Sequence, residues 1–284
     1  MLKDLSRVTG LDVRAVYDTE ETKSTGVLNR LIAEGDHPQA DIFWSGDSVR
    51  PALLVQRGLV VPYVSAAGAD IPAAFKAADG TWTGIAARAR ILLVNKNKLA
   101  PEARPRSVRD LADPKWKGQT AIANPVFGTT TMHMAALFSA WGDDNAKAFL
   151  AALKANGVRV ASSNGEVKRL VATGEIAFGL TDTDDAHEAL GEGAPVEVVY
   201  PDQDGDGTLI MPTAVVLMKG PHPEAGKRLV DALLAPSVEE KMAAAAAHMP
   251  LRAGTKLKPF PIDYAKIGAT MDRIQPLLRE WAGM

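Results

Sequence analysis

The strongest local signal for binding chemistry in this chain is the segment at residues 124–131, NPVFGTTT. A predicted strand runs into it, and Gly128, Thr129 and Thr130 stand just before a long apolar helical stretch. Backbone N–H groups, threonine hydroxyls and the positive end of a helix together favour a bound anion. The alternative interpretation is a helix N-cap with threonines on a surface turn, which needs no ligand.

Three more polar segments stand where a predicted strand gives way to a helix. Ligands of open α/β sheets collect at the carboxyl ends of strands, so four such segments predict one shared cleft. Each segment by itself is also typical of a turn, because Asn, Asp, Gly, Ser and Thr are turn residues. The three segments contribute Ser45, Gly46 and Asp47, then Asn164, and then Thr181, Thr183 and Asp184.

Two arginines are candidates for holding an anion. Arg88 and Arg90 precede an apolar strand, and alternation along an extended chain puts both guanidinium groups on one face. Side by side they suit bidentate binding of an anionic ligand, whereas ordinary surface ion pairs are the alternative. Arg252, by contrast, is expected to be exposed and to contribute little to binding.

Carboxylates cluster in two places. Asp182, Asp184 and Asp185 suit acid–base chemistry, a metal site or simply a solvated loop, and the sequence leaves these alternatives open. The segment at residues 201–207, PDQDGDG, resembles the first half of a calcium-binding loop. Its twelfth position is Thr213 rather than the bidentate Glu that such loops require, so a Gly-rich turn is the favoured alternative.

No catalytic machinery is visible in the sequence. The five histidines show no metal-ligand spacing, and cysteine is absent, which excludes disulfides and thiolate chemistry. No Gly-x-Ser-x-Gly elbow, P-loop or dinucleotide fingerprint occurs. We therefore expect a binding protein rather than an enzyme, with no cofactor unless a metal ion is bound.

The composition fits a folded chain with small-molecule partners. Its 284 residues suit one large domain or two smaller ones, and 46% apolar with 23% charged residues is typical of globular proteins. Lys and Arg number 32 against 34 Asp and Glu, a net charge of −2, so we expect no nucleic-acid partner. No apolar run approaches the roughly 18 residues of a membrane span, and we expect no signal peptide at residues 1–4.

The apolar pattern alternates between short extended runs and helical stretches, which predicts an α/β fold with a mostly parallel sheet flanked by helices. Strands are expected at residues 13–17, 41–44, 91–94, 121–123, 158–161, 176–180, 196–200 and 214–218. Helices are expected at residues 25–33, 49–57, 108–111, 132–140, 224–234, 238–247 and 264–281.

Seven segments together resemble the substrate-binding proteins of ABC importers, in the group of family 1 or iron(III) extracellular solute-binding proteins. The resemblance covers nearly the whole chain. Its segments are TDTDDA at 181–186, ANPVFGTT at 123–130, ADIFWSGD at 40–47, PDQDGDGTL at 201–209, DPKWKG at 113–118, RARILLVNK at 88–96 and KGPHPEAGKRLVDALL at 219–234.

The resemblance implies a type 2 periplasmic binding protein fold, in which two α/β lobes joined by a hinge of two crossing strands close on the ligand. Lobe one would comprise residues 1–91 and 210–261, and lobe two residues 92–209 and 262–284. The implied function is capture of a small anionic solute in the interlobe cleft, namely phosphate, phosphonate, a carboxylate or a metal–anion complex. An ABC permease would be the partner, and the location would be periplasmic or extracellular.

The resemblance also implies roles for individual residues. The anion-binding turn of ferric members falls on Gly128, Thr129 and Thr130, with support from Asn164 and Thr181. The arginine of the family falls on Arg90 or Arg88.

The chain departs from the family in two ways. Ferric members hold iron with two adjacent tyrosines, and the matching positions are Thr183 and Asp184, which argues against phenolate-based Fe(III) binding. A ferric or calcium site that uses carboxylates such as Asp182 and Asp184 is the alternative function. Members also open with a strand before the helix that residues 2–9 resemble. Its absence predicts either that the flanking strands pair directly or that a second copy fills the slot and makes a homodimer.

Overall fold

The computed structural model describes residues 1–17, 25–35, 37–246, 248–252, 256–264 and 266–284. The chain divides into two compact units. Unit 1 is Met1–Ala87 with Met211–Thr255, and unit 2 is Arg88–Ile210 with Lys256–Met284. The lobe boundaries implied by the family resemblance lie at residues 91/92, 209/210 and 261/262.

The elements follow in chain order. The first are α1 (Leu2–Thr9), α2 (Thr25–Glu34), β1 (Ile42–Ser45), α3 (Val49–Gln56), β2 (Val60–Val61), β3 (Thr83–Asn95), β4 (Thr120–Ala123), α4 (Gly128–Trp141) and α5 (Asp143–Ala155). The others are β5 (Arg159–Ala161), α6 (Asn164–Ala172), β6 (Phe178–Asp182), α7 (Thr183–Gly191), β7 (Val196–Val199), β8 (Ile210–Met218), α8 (Pro223–Leu233), α9 (Pro236–Ala246), β9 (Met249–Pro250) and α10 (Ile267–Ala282). None of the described helices has the length and apolar character needed to cross a membrane.

The sheet of unit 2 has the strand order β7-β3-β6-β4-β5. β3 pairs antiparallel with β7 and β6, whereas β4 pairs parallel with β6 and β5. The residues 91–94, ILLV, are fully buried in β3, as expected of a central strand covered on both faces. α4 is buried from Thr130 to Phe138 and packs against α5 and α10. This sheet and α4 carry most of the predicted site residues.

A close contact sets the position of α6 on this sheet. Gly179 of β6 leaves so little room that a Cβ atom there would lie 2.5 Å from Val167 Cγ1 and 2.9 Å from the Ala121 carbonyl oxygen. Only glycine allows this approach of helix to strand. The contact brings the start of α6, at Asn164, beside the end of β6.

Unit 1 contains a second set of strands. β1 and β2 pair antiparallel with β8, and β9 pairs antiparallel with the first part of β3. α8 packs against α1 and β1, and α3 also packs against β1. Leu54, Ile85 and Leu234 are fully buried in this unit. The predicted homodimer stays a prediction.

Several sequence predictions are corrected here. The sheet is mixed rather than mostly parallel, because strand pairing depends on distant segments that local periodicity does not report. Residues 13–17 form no strand, because Val13 is only half-buried and residues 14–17 are exposed, so the stretch has no buried face. α4 begins at Gly128 instead of residue 132, because the threonines at 129–131 belong to its first turn instead of to a loop. Gly128, at the start of the helix, takes a φ of +64°, which glycine adopts without strain.

Two more boundaries differ where they bear on the site. β3 already includes Arg88 and Arg90, which were predicted to precede the strand. β6 extends to Asp182, which lies opposite Arg90 in the ladder, so Thr181 and Asp182 belong to a strand instead of a loop. The predicted helix at 238–247 corresponds to α9 up to Ala246, and residue 247 lies outside the described residues.

Candidate functional site

The predicted arginines and polar segments of unit 2 meet at the carboxylate of Asp182. Arg90 Nη1 donates a hydrogen bond to Asp182 Oδ1 at 2.6 Å. Thr129 Oγ1 and Asn164 Nδ2 donate to Asp182 Oδ2 at 2.9 and 3.2 Å. Arg88 Nη1 lies 3.5 Å from Oδ2. One carboxylate therefore binds side chains from β3, α4 and α6.

The sheet positions the charged members of this cluster. Arg90 and Asp182 are direct partners in the antiparallel ladder between β3 and β6. Alternation along β3 puts Arg88 on the same face as Arg90, and both guanidinium groups contact Asp182. The same-face arrangement inferred from the spacing of the two arginines is thus present in the structure.

Thr129 and Asn164 connect the donors to one another. Thr129 Oγ1 accepts from Arg90 Nη1 at 3.0 Å and from Asn164 Nδ2 at 2.9 Å, while donating its own proton to Asp182. Arg90 Nη1 also reaches Asn164 Oδ1 at 3.2 Å, and Arg90 Nη2 reaches Thr130 Oγ1 at 3.2 Å. These bonds fix the rotamers of the groups that face Asp182.

Three helices begin at the cluster. α4 starts at Gly128, α6 at Asn164 and α7 at Thr183. Phe127 at the N-cap of α4 and Asp182 at the N-cap of α7 provide no side-chain cap hydrogen bond. The positive ends of these helices add to the field of the arginines, so this part of unit 2 favours negative charge.

Burial separates an inner layer of the cluster from an outer one. The side chains of Arg90 and Asp182 are 0% and 3% exposed, whereas those of Arg88 and Asp184 are 19% and 40% exposed. Arg88 Nη1 donates to Asp184 Oδ2 at 3.1 Å. Solvent or a solute can reach this outer pair and exposed Gly128, and also part of the half-buried residues Thr129 and Asn164.

The third carboxylate of the cluster has a perturbed acidity. Burial raises the pKa of Asp185 to about 6, with smaller contributions from the charges of Asp184 and Asp182. Thr181 Oγ1 donates to Asp185 Oδ2 at 2.7 Å, which opposes that rise in pKa. Nearby, burial and the charge of Arg90 lower the pKa of His133 well below its ordinary value.

Asp182, Asp184 and Asp185 offer carboxylate oxygens that all lie within 4.8 Å of one another. Such a group has the donor chemistry that a hard cation requires. Arg88 and Arg90 already offset part of its negative charge, and Asp182 is held by both of them. The carboxylate cluster is therefore a candidate metal site, but a metal ion would compete with Arg88 and Arg90 for the carboxylate oxygens.

The remaining predicted residues of unit 2 have structural contacts around the cluster. Thr181 is fully buried and bonds to Asp185, and Thr183 Oγ1 accepts from the Ala89 N–H at 3.3 Å. Gly128 is exposed, with no atom within 4 Å of the position of a Cβ. A ligand-binding role for each of these residues stays a prediction.

The predicted residues Ser45, Gly46 and Asp47 belong to unit 1. Ser45 and Gly46 line a pocket of ≈ 500 Å³ whose other lining residues are Met1, Trp44, Thr213, Lys241, Met242 and His248. Asp47 does not line the pocket. It accepts hydrogen bonds from the N–H groups of Val49 and Arg50 at the start of α3 and pairs with the Arg50 side chain. The predicted sharing of one cleft by all these residues stays a prediction.

Residues 201–206 form the turn that the sequence favoured over a calcium loop, and two of their carboxylates are turned toward different partners. Asp202 Oδ2 accepts from the Val108 N–H at 3.1 Å, and Asp206 Oδ2 accepts from the Trp141 indole at 2.7 Å. Asp202 itself takes a φ of +59° in this turn. These bonds make the segment a structural turn instead of a cation loop.

The prediction that Arg252 is exposed is also wrong. Its side chain is only 10% exposed and pairs with Glu239 at 3.1 Å and Asp70 at 2.8 Å. It donates further hydrogen bonds to the carbonyl oxygens of Ala67 and Leu234. Arg252 therefore stabilises unit 1.

Some residues at these sites escaped sequence reasoning. Thr213 and His248 line the unit 1 pocket, but neither stands in a motif that marks a binding residue. The role of Asp182 as the common acceptor was also missed. The spacing of Arg88 and Arg90 indicated that two positive charges share one face and need a negatively charged partner. It did not indicate which residue that partner is.

Comparison with known proteins adds to this geometry. A family model described as "Bacterial extracellular solute-binding protein" matches residues 37–267. The iron uptake protein A1 of Synechocystis is 26% identical over 286 residues, covering 95% of this chain and 78% of the relative. A putative 2-aminoethylphosphonate-binding periplasmic protein of Salmonella typhi is 25% identical over 283 residues, covering 97% and 80%.

The solved structure of a ferric binding protein from Campylobacter jejuni has the same fold. The TM-score is 0.86 at 22% identity, over 99% of this chain and 94% of that one. The predicted α/β solute-binding fold is thereby confirmed.

Proposed function

The chain belongs to the family of bacterial extracellular solute-binding proteins, and from this premise we propose that it is the substrate-binding component of an ABC importer and captures a small anionic solute. One observation carries the anionic part of the proposal. Arg90, Thr129 and Asn164 hold a carboxylate at the start of three helices. This donor set stabilises negative charge, which is the chemistry that the solute would exploit.

The outer layer of the cluster supports binding of a solute beside Asp182. Arg88 is partly exposed, and the first turn of α4 at Gly128 and Thr129 presents N–H groups with no side-chain cap from Phe127. Phosphate, phosphonate, carboxylate and metal–anion complexes all offer oxygen acceptors for such donors. The relatives are named for iron uptake and for 2-aminoethylphosphonate, and a phosphonate belongs to this set.

The proposal includes a location and a partner. Relatives of this chain are named as periplasmic proteins, so we expect this chain to act outside the cytoplasm, in the periplasm or at the cell exterior. A solute-binding protein of an importer delivers its solute to an ABC permease, which is the expected protein partner.

The test is a calorimetric titration with phosphate, methylphosphonate, 2-aminoethylphosphonate, sulfate and citrate. Arg88→Ala should weaken the tightest of these anions by about tenfold to a hundredfold, because a hydrogen bond to a charged group contributes about 1.5–3 kcal/mol. Arg159→Ala is the matched control, since Arg159 lies on the same unit with its side chain 51% exposed. Equal losses in both variants, or no binding of any anion to the wild type, would contradict the proposal.

A carboxylate-bound metal ion is the second candidate, and the close approach of Asp182, Asp184 and Asp185 is the observation that favours it. Adjacent tyrosines are absent from the sequence, so iron would need carboxylates or an accompanying anion. Titration with Fe(III)–citrate, citrate alone and Ca²⁺ separates the two candidates. Asp184→Asn should abolish metal binding, whereas it should strengthen anion binding by removing a negative charge beside Arg88.

A further inference from the structure

We propose that Asp182 determines which anions this protein accepts: its carboxylate occupies the position of a bound anion and excludes doubly charged oxyanions from the donors of Arg90, Thr129 and Asn164. The inference rests on the proposed function, because it concerns the selectivity of the same site. The solute would then carry a single negative charge where it meets Arg88 and the first turn of α4, or a negative group balanced by a positive one.

The Asp182 carboxylate makes the contacts that a bound anion would make. Its two oxygens accept three hydrogen bonds of 2.6–3.2 Å, and a second guanidinium group lies at 3.5 Å. The donors come from β3, α4 and α6, and two of these elements present their N-terminal ends. A bound oxyanion uses guanidinium, hydroxyl and amide side-chain donors of the same kinds.

The carboxylate does not have the usual role of an aspartate at this position. Asp182 is the N-cap of α7, where an Asp side chain normally accepts a hydrogen bond from the first turn of its own helix. That cap bond is absent, and the side chain is turned to the arginines instead. Stability alone does not call for such a pair, since buried ion pairs are often no more stable than apolar replacements.

The charges around Asp182 explain the exclusion. Arg88 and Arg90 contribute two positive charges, and Asp182 and Asp184 already provide two negative ones. Asp185 adds a third carboxylate within 4.8 Å of the others. A dianion such as sulfate would face this negative charge with no arginine left to neutralise it, so its affinity in the wild type should be low.

The experiment compares Asp182→Ala with the wild type and with Asp184→Ala. Both variants lose one negative charge near Arg88. Only Asp182→Ala also leaves the donors of Arg90 and Thr129 without their carboxylate acceptor. In calorimetric titrations, Asp182→Ala should bind sulfate about tenfold to a hundredfold more tightly than Asp184→Ala does. Adding Arg90→Leu to Asp182→Ala should remove the gain.

Chemical rescue keeps the proposal testable if Asp182→Ala folds poorly. Formate or sulfate should then restore its folding and raise its melting temperature, because an ion that binds the native state stabilises it. Sodium chloride at matched ionic strength is the control and should have a smaller effect. Rescue of Asp182→Ala without rescue of Asp184→Ala supports the proposal.

Two results would overturn the inference. One is equal sulfate affinity in Asp182→Ala and Asp184→Ala, and the other is an unstable Asp182→Ala on which formate and sulfate act no differently from chloride. Failure of the proposed function looks different. In that case the wild type binds none of the anions tested, while tighter binding of sulfate by Asp182→Ala than by Asp184→Ala still supports the role of Asp182 and equal binding still overturns it.

Discussion

The stability of this protein should depend on pH through Asp185, and Asp185→Asn tests that expectation. Burial, helped by Asp184 and Asp182, raises the pKa of Asp185 in the folded protein to about 6, against an ordinary value of 3.8. Between pH 3.8 and about pH 6, the folded state therefore binds more protons than the unfolded state. The stabilising effect of the protonated form is therefore complete below pH 3.8 and is lost as the pH rises through about 6.

The magnitude follows from the two pKa values, about 6 and 3.8, which differ by about 2.2. At about 1.4 kcal/mol per pKa unit, ionisation of Asp185 costs at most about 3 kcal/mol of folding free energy at pH 8. The residue is only half-buried, so solvent screening reduces this to about 1–3 kcal/mol. Asparagine carries no charge and avoids this cost, while its carbonyl oxygen can still accept the Thr181 hydrogen bond.

Thermal unfolding followed by circular dichroism between pH 4 and pH 8 measures the effect. Relative to the wild type, Asp185→Asn should gain stability as the pH rises from 4 to somewhat above 6 and keep that gain to pH 8. It should melt several degrees higher at pH 8, since 1 kcal/mol corresponds to about 2–4 °C in a chain of this order of size. Asp272→Asn, an exposed position on α10, is the control. A difference between Asp185→Asn and wild type that is the same at pH 4 and pH 8 would refute the reasoning.

Three other substitutions test the packing and pairing in each unit by urea unfolding. Arg90→Met should destabilise by about 3–5 kcal/mol, because it leaves buried Asp182 without its main partner; a loss no larger than that of an exposed arginine would contradict this. Gly179→Ala should lower the free energy of unfolding by about 1–3 kcal/mol, because the added Cβ would clash with Val167. Gly191→Ala is the control and should be near neutral, since nothing lies within 4 Å of its Cβ position. Similar effects of the two substitutions would contradict this. Arg252→Ala should destabilise by about 3–5 kcal/mol because Glu239 is buried; an unchanged urea midpoint would argue against that pairing.

Sequence reasoning succeeded where the information is local. The run ILLV at residues 91–94 predicted a buried strand, and the spacing of Arg88 and Arg90 placed both side chains on one face. The apolar spacing in residues 25–33 predicted α2, and residues 49–57 predicted α3. Side-chain periodicity is a property of neighbouring residues, so a helix or a strand can be inferred from a short stretch of sequence.

Element ends near the site were less predictable. β6 continues to Asp182 because its last residues pair with β3, and α4 starts at Gly128, with the threonines in its first turn. The end of β6 depends on a partner strand that a local window does not contain. The helices expected after three of the polar segments are present, but the segments themselves are shorter than predicted because strand and helix residues take up part of each one.

By itself, the sequence determined that this chain is an α/β protein and predicted candidate anion-binding residues at strand ends, because residue types and their spacing encode that much. Only the tertiary structure decided what those residues bind within the chain. Arg90 and Asp182 are 92 residues apart in sequence, and their pairing exists because β3 and β6 are antiparallel neighbours. Strand order and direction arise from packing among distant segments, and local patterns carry no record of them.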